Sequence, residues 1–159
     1  MSSASFASQT VVGEIGIVDE GLLSKQRAMA VLPEPELRDA ALRALRYELD
    51  LPPDDRRRRT IGRLRAWLLL DTPDARRIAN AFSDALATLT PEERHTIRET
   101  EEDAVMDGLS YREFERLTAI VPSLQHWQDR LWTQVAPART GVPGSFGAAL
   151  ALAGLTADW

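Results

Sequence analysis

The stretch DTPDARRIANAFSDALATLTPEER, residues 71–94, contains one complete amphipathic pattern between two helix-start signals. Each signal is a Thr-Pro pair followed by acidic residues, which suits a capping threonine and a proline in the first helical turn. Between Thr72 and Thr90 the apolar side chains recur at the three- and four-residue intervals of one helix face. They are Ile78, Ala79, Phe82, Ala85, Leu86 and Leu89. This stretch predicts a helix, with Thr72 as its cap, in a helical protein with short turns.

The same pattern extends from residue 71 toward the N-terminus. A helix is predicted from Pro35, and Pro52-Pro53 ends it and opens the next one, because proline is tolerated only in the first turn. The apolar positions of the first helix are Leu37, Ala41, Ala44, Leu45 and Leu49. Those of the second are Ile61, Leu64, Trp67 and Leu68.

Toward the C-terminus, Thr90 to Glu93 and Ser110 to Glu113 both have the spacing of a capping box. The first box starts a helix that we expect to reach about Asp107, with Gly108 as a left-handed stop. The helix after the second box has the apolar face Tyr111, Phe114, Leu117 and Val121, and Pro122 interrupts it. Ser123 is predicted to cap a further helix whose inward side chains are Leu124, Trp127, Leu131 and Val135.

The two ends are less clearly patterned. Thr10 to Val18 (TVVGEIGIV) is β-branched and compatible with a short strand, and residues 19–31 with a short helix. The predicted fold is an all-α compact bundle of six or seven short helices with an extended N-terminal arm. We divide it into an arm over 1–34, flexible or ordered by a partner, a bundle over 35–135, and a loop plus a short apolar C-terminal helix over 136–159.

Composition excludes several classes of protein. The chain has 159 residues, no cysteine and a formal charge of −5, which excludes disulfide mini-proteins and cysteine-ligated metal centres. No apolar run is long enough for a membrane span, and no secretory signal peptide is recognisable. We expect a soluble cytoplasmic protein. The alternative is export by a specialised secretion system without a cleaved signal.

Charge is segregated along the chain. Residues 35–80 hold eleven basic and eight acidic side chains, and residues 81–120 hold four and ten. The basic segment includes the run Arg56-Arg57-Arg58-Arg59, in which Arg56, Arg59 and Arg63 share one helix face. Asp54 and Asp55 precede Arg58 and Arg59 by four residues, the order that favours ion pairs. Three interpretations stay open: an internally paired solvated helix, a docking site for an acidic protein, and a nucleic-acid surface.

Candidate catalytic and metal-binding patterns are weak. The acidic cluster Glu99 to Asp103 with Asp107 is most typical of an exposed polar helix. His95 follows a single Glu-x-x-His step at Glu92, whereas di-iron bundles need two such steps. No Gly-x-Ser-x-Gly elbow, Walker loop or dinucleotide-binding glycine motif occurs. We therefore expect no cofactor and no bound metal.

Residues 85–94 (ALATLTPEER) followed by residues 108–111 (GLSY) resemble the start of the helix-turn-helix of sigma-factor region 4, over roughly 45 residues. The resemblance implies a helix pair that binds DNA or, in a degenerate form, protein. The chain departs from that motif at Glu115, where the motif has a small alanine, and at Ala119, where its turn has glycine. The helix in the recognition position carries only Arg130 as a strong base, so DNA reading does not follow.

These observations favour a small non-enzymatic regulatory, adaptor or assembly-component protein that binds another protein or a second copy of itself. The candidate partner-binding residues are Arg56, Arg59, Arg63, His126 and Trp132. Trp and Arg are favoured anchors in interfaces. The alternatives are a nucleic-acid-binding protein that uses the Arg-rich helix 56–65, and a helical enzyme that binds a ligand or metal.

Overall fold

Six α-helices follow one another through residues 19–125, the part of the chain that this computed structural model describes. They are α1 (Glu20–Ala30), α2 (Glu34–Leu49), α3 (Pro53–Leu69), α4 (Thr72–Ala87), α5 (Pro91–Asp103) and α6 (Tyr111–Ile120). A π-helical turn, Ala104–Gly108, continues α5, and a 3₁₀ turn, Pro122–Leu124, follows α6. These residues contain no strand, and the predicted all-α bundle is confirmed.

Residues 20–30, which the sequence division placed in the N-terminal arm, form α1. Leu23 and Met29 of this helix are buried in the common core, so within the described residues the helical body begins at α1 and not at residue 35. Four further predicted elements lie outside residues 19–125. They are the strand Thr10 to Val18, the helix continuing to Val135, the loop 136–145 and the last short helix.

The helix boundaries follow the sequence signals closely. A proline occupies the first turn of α2, α3, α4 and α5, where its missing N–H costs nothing. Both capping boxes are present: the Thr90 and Ser110 hydroxyls accept from the amides of Glu93 and Glu113, each at 3.1 Å. Thr72 is not a cap, because it is the first residue of α4 and Asp71 takes the cap position without a side-chain bond.

Gly108 has a different role from the one predicted. Its backbone does not lie in the left-handed region, and the residues before it form the π-helical turn. A Cβ at Gly108 would lie 2.2 Å from Cδ1 and 2.7 Å from Cγ1 of Ile61 in α3. The close approach of the Ile61 side chain in α3, and not a left-handed stop, therefore favours glycine at this position.

Helix α3 lies at the centre of the bundle and packs against the other five helices. Its Trp67 meets Phe82 of α4 edge to face, with ring centroids 5.3 Å apart. The Trp67 Nε1–H donates to Oε1 of Gln26 in α1 over 2.7 Å, so the buried indole is satisfied. Helix α2 packs most extensively on α4, through Leu37, Ala41 and Leu45. Among the described residues, no helix has both the length and the apolar character needed to cross a membrane.

Candidate partner-binding groove

Most arginines of the basic run have partners within the protein. Arg56 donates to the backbone carbonyls of Glu48 and Leu51, at 3.3 and 3.1 Å, and so closes the turn between α2 and α3. Arg58 pairs with Asp55, three residues before it. The sequence predicted ion pairs four residues apart, from Asp54 to Arg58 and from Asp55 to Arg59. In the structure, Arg58 instead pairs with Asp55, three residues away. The internally paired interpretation accounts for these two arginines.

Arg63 lies in the interior and not in a surface site. Its Nε and Nη2 donate to the two carboxylate oxygens of Glu48 at 2.8 and 3.0 Å, and the two side chains are 2% and 1% exposed. The guanidinium carbon also lies 4.7 Å from the Phe82 ring centroid and 5.3 Å from that of Trp67. The sequence predicted that Arg63 contacts a partner. This burial corrects the prediction, because a partner at the protein surface could not reach the guanidinium group.

Glu101 of α5 extends this buried charge cluster. It accepts from Arg98 at 3.2 Å and its side chain is only 17% exposed. Burial raises the pKa of Glu101, and the nearby Glu48 charge adds to the rise, while Arg63 and Arg98 oppose it. The cavity beside Arg63, Arg98 and Glu101 has a volume of about 30 Å³, which is room for about one water molecule. This cluster is thus a structural element of the core.

The rest of the acidic helix behaves as an exposed helix. Glu99 and Asp103 are exposed, and His95 Nε2 lies 3.4 Å from a carboxylate oxygen of Glu99 with both side chains open to solvent. Within residues 19–125, no three His, Asp or Glu side chains converge in a way that could hold a metal ion.

The basic and acidic segments pair with each other in the folded protein. Arg46 of α2 meets Glu93 of α5 at 3.3 Å, and Arg65 of α3 meets Glu113 of α6 at 2.8 and 3.3 Å. Arg65 also donates to the Gly108 carbonyl at 3.0 Å. The segregation seen along the sequence is therefore partly neutralised in the fold, and it is weaker evidence for a binding role than the sequence alone indicated.

One surface region combines an exposed aromatic ring with cations. Tyr47 is 51% exposed. It is one of two large hydrophobic residues within residues 19–125 that are exposed to solvent. The guanidinium carbon of Arg59 lies 4.7 Å from its ring centroid, and the ammonium of Lys25 lies 5.9 Å from it. Both distances suit cation–π contacts.

A groove of about 590 Å³ opens beside this ring, between α1, the end of α2, and α3. Its lining includes Leu22, Tyr47, Asp55, Arg58, Arg59 and Arg65, and we call it the Tyr47 groove. Lys25, which contacts the ring, is the only lysine of the chain. The groove therefore presents apolar, aromatic and cationic groups within reach of one ligand.

Arg59 is the candidate residue that has a buried hydrogen-bond donor without a partner. Its Nε is buried and has no hydrogen-bond partner, the sole such buried side-chain atom found in the described part of the chain. An unsatisfied buried donor costs about 1–3 kcal/mol.

The sequence grouped Arg59 with Arg56 and Arg63 on one helix face, and it did not single out Tyr47 or Lys25 as candidate residues. One available signal was Tyr47 itself, an aromatic residue outside the predicted stripe of α2. The contact between Tyr47 and Arg59 joins two helices, so no spacing along the chain could reveal it. The two remaining candidates, His126 and Trp132, lie outside the described residues.

Comparison of the chain with family models, curated proteins and solved structures finds no match.

Proposed function

We propose that this protein is a non-enzymatic adaptor or regulatory protein that binds an acidic segment of another protein in the Tyr47 groove. The observation that carries the proposal is the exposed Tyr47 ring in contact with both Lys25 and Arg59. Tyr and Arg are enriched among the residues that dominate binding energies in interfaces. Carboxylates are the natural ligands of clustered guanidinium groups.

The size of the groove supports a short segment as its occupant. A volume of about 590 Å³ falls within the range of pockets that enclose small ligands or a few side chains. Leu22 and Ile61 give the groove an apolar component. Arg59 and the neighbouring Lys25 give it positive charge, whereas Arg58 and Arg65 are paired with Asp55 and Glu113. An acidic residue next to an apolar one in the partner would match both components.

Nucleic acid is the less favoured ligand. A phosphate backbone requires several cations on one face that are available for successive phosphates. In this chain Arg56 is bound to backbone carbonyls, Arg63 is buried, and Arg65 is paired with Glu113. The cations around Tyr47 fit one or two carboxylates better than a track of phosphates.

Fluorescence anisotropy with a labelled Glu- and Leu-containing peptide tests the proposal. Tyr47→Ala and Arg59→Ala are each expected to weaken binding by about tenfold, a magnitude typical of interface anchors. Arg38→Ala, which removes an exposed arginine near the start of α2, is the matched control and should leave the affinity unchanged. Binding should also weaken with added salt, because the groove is exposed.

The single lysine allows the position of the peptide to be mapped. A carbodiimide activates a carboxyl group of the bound peptide, and the Lys25 amine then displaces the activating group to form an amide. Lys25→Arg should retain peptide binding and abolish this crosslink. Tighter binding of a labelled oligonucleotide than of the peptide, or a crosslink confined to the N-terminal amine, would overturn the proposal.

A further inference from the structure

One face of α5 and its π-helical turn presents carboxylates to solvent. The exposed acidic residues of this face are Glu92, Glu99, Asp103 and Asp107, and together we call them the α5 acidic face. The ion pairs that join α5 and α6 to their neighbours use Glu93, Glu101 and Glu113 instead. His95 lies on the same face, 3.4 Å from Glu99. The fold therefore leaves a row of carboxylates available at the surface.

Asp103 and Asp107 have a spacing that suits the two cations of the Tyr47 groove. They lie four residues apart on successive turns, which places their Cβ atoms about 5–6 Å apart. Lys25 and Arg59 lie 5.9 and 4.7 Å from the same ring centroid, so they are separated by no more than two helical turns, about 11 Å. Two carboxylates on one helix face can therefore each approach one of the cations.

The α5 acidic face also has an apolar neighbour. Met106 precedes Asp107 and is half-buried, so part of its side chain is accessible from solvent. Leu22 and Ile61 supply the apolar lining of the Tyr47 groove. An acidic residue beside an apolar one is the combination that the groove requires of a partner, and Met106-Asp107 provides it within this chain.

The α5 acidic face cannot enter the groove of its own molecule. No residue of α5 lines that groove, which lies between α1, the end of α2, and α3. Helix α5 lies instead beside Arg56 and Arg57 of α3, and the bond between Arg46 and Glu93 holds it to α2. The two complementary surfaces of one molecule are thus fixed apart, and only a second copy can bring them together.

We infer that the α5 acidic face of one copy docks in the Tyr47 groove of a second copy, with Asp103 and Asp107 set against Lys25 and Arg59. The inference rests on the proposed function, because it needs a groove that accepts carboxylates. The two surfaces differ, so the contact is heterologous: it closes when two copies exchange it reciprocally, and otherwise it extends into a chain. An acidic segment of another protein competes for the same groove and dissociates the assembly.

Sedimentation equilibrium of the full-length protein, from about 10 µM to about 1 mM, tests the inference. We expect reversible association that weakens with added salt, because the charges are exposed. Two double variants, Asp103→Lys with Asp107→Lys and Lys25→Glu with Arg59→Glu, should each weaken association at least about tenfold, since like charges then face each other. Lysine is compatible with the C-terminal end of a helix, so the first variant should keep the fold.

The matched control is Asp39→Lys with Asp84→Lys. It reverses two exposed aspartates that lie on α2 and α4, outside both surfaces, and it changes the net charge by the same amount as the α5 variant. This control should associate at least as strongly as the parent. Loss of association in the control as large as that in the α5 variant would show that net charge, and not the α5 acidic face, is responsible, and would overturn the inference.

Mixing the two double variants gives the sharpest readout. The reversed face of one then meets the reversed groove of the other, so a 1:1 complex should form at concentrations where each variant alone is monomeric. Recovery in the mixture also shows that both variants are folded. A mixture that does not associate, a parent that stays monomeric throughout, or association that is insensitive to the α5 variant contradicts the inference.

The labelled acidic peptide separates this inference from the proposed function. The peptide should dissociate the assembly of the parent as it fills the groove. If the peptide binds but the parent is monomeric, the inference fails and the proposed function stands. If the mixed variants associate but no acidic peptide binds, the proposed function fails and the contact between copies stands.

Discussion

At the scale of single residues, the Glu48–Arg63 pair is the most consequential interaction in the core. Both charges are removed from water, and two hydrogen bonds at 2.8 and 3.0 Å hold them together. The desolvation cost of a buried pair is offset only when the geometry and the remaining hydrogen bonds are good. Phe82 and Trp67 complete the surroundings of the guanidinium. Removing one partner therefore costs more than removing both.

Glu48→Leu should lower the free energy of unfolding by about 3–5 kcal/mol, because it leaves Arg63 buried without its hydrogen-bonded carboxylate and with only the Glu101 charge nearby. Urea denaturation followed by intrinsic tryptophan fluorescence measures the change. The double variant Glu48→Leu with Arg63→Met should recover most of the loss, since an apolar pair of similar volume needs no countercharge. A single variant as stable as the parent would contradict the buried pair.

The pH dependence of stability reports on Glu101. Burial holds the pKa of its carboxyl above the ordinary 4.5. Because the folded protein then binds this proton more tightly than the unfolded chain does, stability falls as pH rises from 4.5 through the raised pKa. Glu101→Gln removes this titration. The free energy of unfolding of the variant should therefore rise relative to that of the parent over this pH interval, and the difference should stay constant at higher pH.

Urea denaturation of both proteins at a series of pH values tests this expectation. Glu99→Gln, which removes an exposed carboxylate from the same helix, is the matched control. A free-energy difference between Glu101→Gln and the parent that does not vary with pH would show that burial of Glu101 has no energetic effect.

At the scale of elements, the π-helical turn and α3 depend on each other. The turn brings Gly108 against Ile61, and Arg65 of α3 donates to the Gly108 carbonyl. The same guanidinium holds Glu113, which also closes the capping box of α6 by accepting from the Ser110 amide at 2.9 Å. The junction between α5 and α6 is thus fixed by hydrogen bonds from Arg65 of α3 and by the α6 cap.

Gly108→Ala is expected to destabilise the protein by about 1–3 kcal/mol, because the added methyl group would overlap the Ile61 side chain. Thermal unfolding measures the loss. Ile61→Val removes the nearest overlapping atom, so Gly108→Ala should cost less in that background than in the parent. Equal costs in both backgrounds would contradict the close approach of Gly108 and Ile61.

The sequence predicted the helix boundaries well because they depend on local chemistry. Proline in the first turn and the Thr90 and Ser110 capping boxes act within four residues, and the structure contains them as expected. The π-helical turn was missed because the Gly108–Ile61 approach and the Arg65–Gly108 hydrogen bond join residues that lie far apart in the sequence. Glu48 was missed because a pattern of apolar residues counts only apolar side chains, although it lies three residues after the buried Leu45. The Tyr47 groove joins three helices and is visible only in the fold.

At the scale of the whole molecule, α3 determines how charge is distributed. It supplies the buried Arg63, the arginines of the groove, and Arg65 for α6. The acidic segment is therefore bound to the basic one in the folded protein, through Arg46 with Glu93 and Arg65 with Glu113. On the side of α3 that faces α1, Arg59 and Lys25 lie against Tyr47 beside the groove.

The buried Glu48–Arg63 pair also bears on how the protein responds to heat. The free energy of hydrating a charged group becomes less favourable as temperature rises, so the cost of burying the two charges falls on warming. An apolar replacement for the pair has no comparable term. Relative to an apolar replacement, the buried ion pair therefore stabilises the folded protein more at high temperature than at low temperature.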